Sequence, residues 1–187
     1  KILFFAPLIC LVTLIAYQAL PQKEVVIDAL FTVVSILTTT GLTVTDFSTW
    51  PSFLPYFLMF ISMLGGCAAS TSGGIKIIRF LLLRMQGKRE IQRLIHPHSV
   101  ISIKFGGEVL PERVIESIWA FIAVFAVIFV VLLLALLATG LDLTTAFGAL
   151  AASLSNTGAG IGKVANGFEH VSTLSKWVLI VAMLVGR

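Results

Sequence analysis

Thr39, Thr40, Gly41 and Leu42 form a short segment that recurs 117 positions later as Asn156, Thr157, Gly158 and Ala159. Neither copy holds an acid–base pair or an activated nucleophile. What both offer is oxygen. Rings of backbone carbonyls can replace the hydration shell of a cation, and threonine hydroxyls can stand behind or within the ring. Glycine gives the backbone freedom that turns successive carbonyls toward one axis. The Asn156 side chain can bridge neighbouring loops. Each segment follows an apolar run, Asp28 to Thr38 and Thr144 to Leu154, of about ten residues, where crossing a bilayer takes ~20. A helix over such a run points its partially negative C-terminal end at the segment, which favours a cation. Phosphate and carboxylate groups favour the opposite end.

The elements that position these segments follow from composition. Of the 187 residues, 58% are hydrophobic and 12% charged, about half the charged share of a soluble domain. The chain is therefore expected to lie in a membrane, with lipid as its surroundings. The net charge of +4 hints at nucleic acid only faintly, and no nucleic-acid partner is expected. Four apolar stretches approach spanning length: Ile2 to Leu20, Trp50 to Leu64 continuing past a break to Leu83, Ile118 to Ala138, and Ser172 to Val185. The two shorter runs fall between the members of each pair. They read as half-helices that dip into the membrane and return as irregular backbone. Of 13 Lys and Arg residues, eight (Lys76, Arg79, Arg84, Lys88, Arg89, Arg93, Lys104 and Arg113) lie between the break in the second span and the third span. That bias places this connection in the cytoplasm, so the loops enter from outside. The basic run is a topology determinant and lipid-headgroup contact, or a docking site for a cytoplasmic protein.

The repeat extends beyond the loops. A shift of 117 lays Ala29 on Ala146, Leu37 on Leu154, Thr40 on Thr157 and Gly41 on Gly158. A shift of 120 in the following span lays Met63 and Leu64 on Met183 and Leu184, and Gly66 on Gly186. The expected fold is an all-α membrane protein of tandem parallel span, pore-loop, span units resembling potassium-channel architecture. Residues 1–85 form one unit, 86–113 a basic cytoplasmic linker, and 114–187 a second unit truncated in its inner span. Two units would leave irregular backbone facing lipid, so further units are expected in missing sequence or partner chains. The chain starts inside an apolar run and stops just after one, which also suggests a fragment.

The second span is interrupted by Gly65, Gly66, Cys67, Ala68, Ala69, Ser70, Thr71, Ser72, Gly73 and Gly74. Such a break at membrane depth lines a cavity. It reads as a movable gating loop or as a static kink. Lys76 follows it, either as a pathway charge or snorkelling to the basic cytoplasmic surface. Arg187 follows the equivalent glycine of the second copy and reads as a cation-repelling barrier. Cys10 and Cys67 sit in apolar surroundings and read as packing residues. His96 and His98 flank a proline in a solvated turn, and His170 stands apart from both.

Thr38-Thr39-Thr40-Gly41-Leu42, Ser155-Asn156-Thr157-Gly158-Ala159-Gly160, the interruption from Gly65 to Lys76, and Arg187 together resemble the Trk/Ktr/HKT superfamily of potassium transporters, most closely its TrkH-like potassium-translocating subunits. The resemblance covers the full length. It implies four units around one pore in a single chain, of which the third and fourth are present here and the N-terminal units absent. It further implies potassium uptake as the function, potassium as the transported ion with no organic cofactor, and no enzymatic activity. The interruption is then an intramembrane gate with Arg187 beside it. A homodimer, a TrkA-like cytoplasmic nucleotide-binding regulatory subunit, and a multi-pass location in the bacterial inner membrane complete the expectation. The Gly-rich stretch lacks the Gly-Lys-Ser/Thr ending of a phosphate-binding loop. Two other classes compete: a secondary transporter of another solute with broken helices, and an intramembrane serine protease using Ser70 or Ser72. The second lacks a base, since His96, His98 and His170 lie outside the spans.

Overall fold

The structure, a computed structural model, describes residues 25–44, 46–50, 53–65, 73–96, 102–105, 108–165 and 167–187. The first expected span, Ile2 to Leu20, lies outside these residues. So do Cys67, His98 and the interruption from residue 66 to residue 72. The elements are helices α1 (Val25–Leu37), α2 (Leu54–Met63), α3 (Ile77–Ile95), α4 (Glu112–Ala138), α5 (Leu143–Leu154) and α6 (Thr173–Gly186). Short 3-10 turns at Phe47–Thr49 and Gly162–Val164 follow the two loops. A two-residue antiparallel ladder, β1 (Lys104–Phe105) with β2 (Glu108–Val109), is formed in the connection between α3 and α4.

α4 has 27 residues and measures about 40 Å, enough to cross a bilayer. Its apolar residues run all the way round. Val124, Val127, Val130, Val131 and Leu134 are exposed, while Phe125 and Leu136 turn inward. Exposed valines at this density are costly in water and favourable against acyl chains. α5 is the opposite case. Ala146, Ala149, Leu150, Ala151, Ala152 and Leu154 are all buried, so the helix is enclosed by protein. Its small residues let α2, α4 and α6 approach it closely, and all three pack against it. Phe147 projects from α5 into an aromatic cluster, with ring centroids 5.1 Å from Phe60, 6.3 Å from Tyr56 and 6.0 Å from Phe129. This cluster joins α2, α4 and α5.

Caps fix the helix starts. Asp142 caps α5 by accepting from the Thr145 N–H, and Ser172 caps α6 by accepting from the Ser175 N–H. The Ser175 hydroxyl also donates to Thr139 at the end of α4, 2.7 Å away, which ties the outer and inner helices together. α3 begins after Lys76, whose side chain carries no acceptor and makes no capping hydrogen bond. The apolar pattern of this stretch ends near Leu83, yet the helix continues to Ile95. Leu82, Gln86 and Arg89 recur at helical spacing and are buried, which explains the continuation. α3 packs against α4, with the Arg79 guanidinium 3.8 Å above the Phe121 ring.

Candidate cation site

Both half-helices end in the same hydrogen-bonded turn. In the first, the Thr40 N–H donates to Ser35 O at 2.8 Å and the Thr39 N–H to Ile36 O at 3.1 Å. In the second, the Thr157 N–H donates to Ala152 O at 3.0 Å and the Asn156 N–H to Ser153 O at 3.1 Å. This is a Schellman ending, with the residue after the cap in the left-handed region. Thr39 has φ 55° and Asn156 has φ 53°. Asparagine tolerates that conformation; a β-branched threonine does so only under constraint, at a cost of about 1–3 kcal/mol. Gly41 and Gly158 follow with φ 76° and 83°. The carbonyls of residues 35, 36, 152 and 153 are thus already paired. The carbonyls of the loop beyond, the stretch singled out from sequence, take no part in these turns.

The two loops lie against each other. A Cβ built on Gly41 would overlap the Thr157 carbonyl, so this contact requires glycine. Thr157 and Ala159 are buried, whereas Leu42 is 62% exposed and Thr40, Asn156 and Gly158 also reach the surface of this chain. Asn156 was expected to bridge neighbouring loops. Its amide instead donates to the Met183 carbonyl at 3.3 Å, tying the loop to α6.

The described ends of the interruption close around the same place. Gly65 leaves room for the Thr39 methyl, which would lie 3.0 Å from an added Cβ. Gly73 abuts the Asn156 amide, 2.6 Å from an added Cβ, and the Ser155 carbonyl. The Gly74 N–H donates to Gly186 O at 2.8 Å, and the Ile75 N–H to Met63 O at 2.8 Å. Gly186 itself packs on the end of α5, where a Cβ would strike the Leu154 carbonyl. Arg187, exposed, directly follows the carbonyl that holds Gly74, and half-buried Lys76 lies two residues beyond Gly74. Gly66, Ser70, Thr71 and Ser72 fall outside the described residues. His96 caps the end of α3 through its backbone.

Sequence reasoning passed over an outer rim. Asp142 accepts from both threonine hydroxyls, Thr144 and Thr145, the latter at 2.8 Å, and from the Thr145 N–H at 3.2 Å. Lys163 lies 3.5 Å from its carboxylate. The Thr144 and Thr145 hydrogen bonds hold the Asp142 carboxyl far below the usual carboxylate range. The signal was present as Asp-x-Thr-Thr before an apolar run, a helix-start pattern. Thr38 and Ser155, one residue before each loop, were also left out of the site; a hydroxyl at the same register in both copies marks them. Among the described residues, no cluster of three or more His, Cys, Asp or Glu could hold a metal. The ligands on offer are carbonyls and hydroxyls, suited to a hard, weakly bound cation.

Apolar helices, one of spanning length, and two short helices with matching irregular ends define a helical membrane protein. A family model described as TrkH, cation transport protein, matches residues 10–187. The chain belongs to the TrkH family, which places it in the bacterial inner membrane as a multi-pass protein. It is 50% identical over 181 residues to the Trk system potassium uptake protein TrkH of Vibrio parahaemolyticus, covering 96% of this chain and 37% of the relative. It is 48% identical to the Trk system potassium uptake protein TrkH of Escherichia coli, covering 86% of this chain and 33% of that protein. The crystal structure of the potassium transporter TrkH from Vibrio parahaemolyticus superposes with a TM-score of 0.90 at 48% identity, over 97% of this chain and 40% of that one. The chain thus spans between a third and two fifths of the length of these relatives.

Proposed function

We propose that this chain supplies two of the pore-loop units of a potassium uptake pathway, with Thr39 to Leu42 and Asn156 to Ala159 contributing oxygen ligands to its filter. The observation that carries the reading is the register between the loops. Left-handed residues at 39 and 156, glycines at 41 and 158, and every hydrogen bond of the helix endings correspond at a spacing of 117. Packing alone would not require two irregular turns to match bond for bond at membrane depth, where irregular backbone survives only inside protein or beside water. Relatives named for potassium uptake support potassium as the ion. The remaining ligands come from further units outside this chain, and no organic cofactor or enzymatic step is assigned to it.

Residues 65–76 and Arg187 form the gate in this proposal, because both ends of the interruption are held against the loops and the tip of α6. The basic connection from α3 onward faces the cytoplasm. It is the docking face for a TrkA-like nucleotide-binding regulatory subunit, and the assembled protein is a homodimer. Rubidium or potassium flux into proteoliposomes carrying the complete protein, with its regulator active, tests the function. Uptake above that of empty vesicles is expected. Its absence overturns the proposal.

A further inference from the structure

One hydroxyl precedes each loop and one lies inside it. The Thr38 hydroxyl is 2.8 Å from Val34 O and 3.3 Å from Ser35 O. The Ser155 hydroxyl is 2.7 Å from Ala151 O and 3.4 Å from Ala152 O. Carbonyls only accept, so the single proton of Thr38 and of Ser155 is committed to the helix. Back-bonding of this kind is common for Ser and Thr near helix ends and by itself means little. In both copies, however, a second hydroxyl follows at the same spacing. Thr40 Oγ1 lies 2.9 Å from Thr38 Oγ1, and Thr157 Oγ1 lies 2.8 Å from the Ser155 hydroxyl. Since Thr38 and Ser155 have no proton left to give, Thr40 and Thr157 must donate in these pairs. Their own protons then point back at the helix end, exposed at Thr40 and buried at Thr157, and among the described residues neither oxygen has a further hydrogen bond.

We propose that Thr38 and Ser155 are positioning residues: they lock the Thr40 and Thr157 hydroxyls with the proton turned away, so that each presents only oxygen lone pairs to a permeating cation. The proposal rests on the filter reading above and deepens it. A hydroxyl free to rotate would present its positive hydrogen to a cation for part of the time. A relay running Thr40 to Thr38 to Val34 O, and Thr157 to Ser155 to Ala151 O, removes that state before the ion arrives. The arrangement is preorganisation, in which the cost of orienting a dipole is met in folding rather than in binding. The two copies use different residue types, Thr and Ser, at the relay position. Only the hydroxyl is shared, as expected if it is the group that acts.

The complete protein, reconstituted in proteoliposomes, tests this through the potassium dependence of rubidium flux. Thr38→Val and Ser155→Ala remove the acceptor, and each is expected to raise the half-saturating potassium concentration roughly fivefold or more, from the loss of one hydrogen-bonded orientation. Thr38→Ser and Ser155→Thr keep the hydroxyl and should stay within about twofold of the parent. Because Thr38 acts through Thr40, the double variant Thr38→Val with Thr40→Val should be no weaker than Thr40→Val alone. Potassium-dependent protection against thermal unfolding in detergent reads the same interaction without flux, and should shrink in Thr38→Val and Ser155→Ala but not in Thr38→Ser or Ser155→Thr. Equal behaviour of Thr38→Val and Thr38→Ser, or additive effects in the double variant, overturns the inference. Ser155→Ala deletes a single oxygen and decides the matter in the same way if Thr38→Val does not fold. A parent protein showing neither flux nor potassium protection would instead sink the filter reading itself.

Discussion

Gly41 and Gly158 occupy corresponding positions, but replacing each by alanine should have unequal consequences. Both have φ in the left-handed region, 76° and 83°, where a Cβ costs about 1–2 kcal/mol. Within this chain that is the whole of the expected penalty at Gly158, because a Cβ built there meets nothing within 4 Å among the described residues. At Gly41 the Cβ would overlap the Thr157 carbonyl, a backbone atom that can retreat only if the second loop moves. Overpacking of this kind adds about 1–3 kcal/mol, for a total near 2–5 kcal/mol. Thermal unfolding of the complete protein in detergent, with rubidium flux measured in parallel, should rank Gly41→Ala as the more damaging in both. Gly158→Ala should fold and lose less flux than Gly41→Ala. Equal losses, or a larger loss at Gly158, would mean that the apposition of Gly41 with Thr157 does not constrain the loops.

Asp142→Ala should destabilise the protein by about 1 kcal/mol through loss of the α5 cap, read as a lower thermal midpoint. The Asp142 carboxyl is held below its ordinary value, so its contribution is present above the usual carboxylate range near ~4 and is lost as pH falls through the folded value. The difference in midpoint between parent and Asp142→Ala should therefore narrow on acidification below about pH 4, and a widening would refute this sign. Arg89 is buried against α4, with Glu112 at 3.8 Å and Glu90 at 3.6 Å, but the Glu112 side chain is 74% exposed. Glu112→Gln should therefore cost less than ~1 kcal/mol, whereas Arg89→Ala should cost more through lost packing, both read by thermal unfolding. Asn156→Gly keeps the left-handed backbone while removing the amide that reaches Met183 O. It should cost about 0.5–1.5 kcal/mol, less than Asn156→Val, which also strains the backbone. The same thermal assay ranks the two variants.

Much of this molecule is local information. Runs of apolar residues decide which stretches become spans and half-helices, since transfer to lipid depends on length and composition alone. The spacing of 117 exposed the duplicated loops, and glycine with a preceding helix marked where the backbone must turn left-handed. Helix polarity followed from chain direction. Other features depend on atoms that only folding brings together. Glu112 lies far from Arg89 in sequence, and α3 runs on to Ile95 because Gln86 and Arg89 find a buried face on α4. Asn156 reaches Met183 rather than a neighbouring loop because α6 packs along α5. The contact of Gly41 with Thr157 and the hold of Gly186 on Gly74 likewise join segments more than a hundred residues apart. The direction of the hydroxyl relay was also beyond the sequence. Threonine and serine each can donate or accept, and the proposed direction rests on a carbonyl, which can do just one, coming within reach.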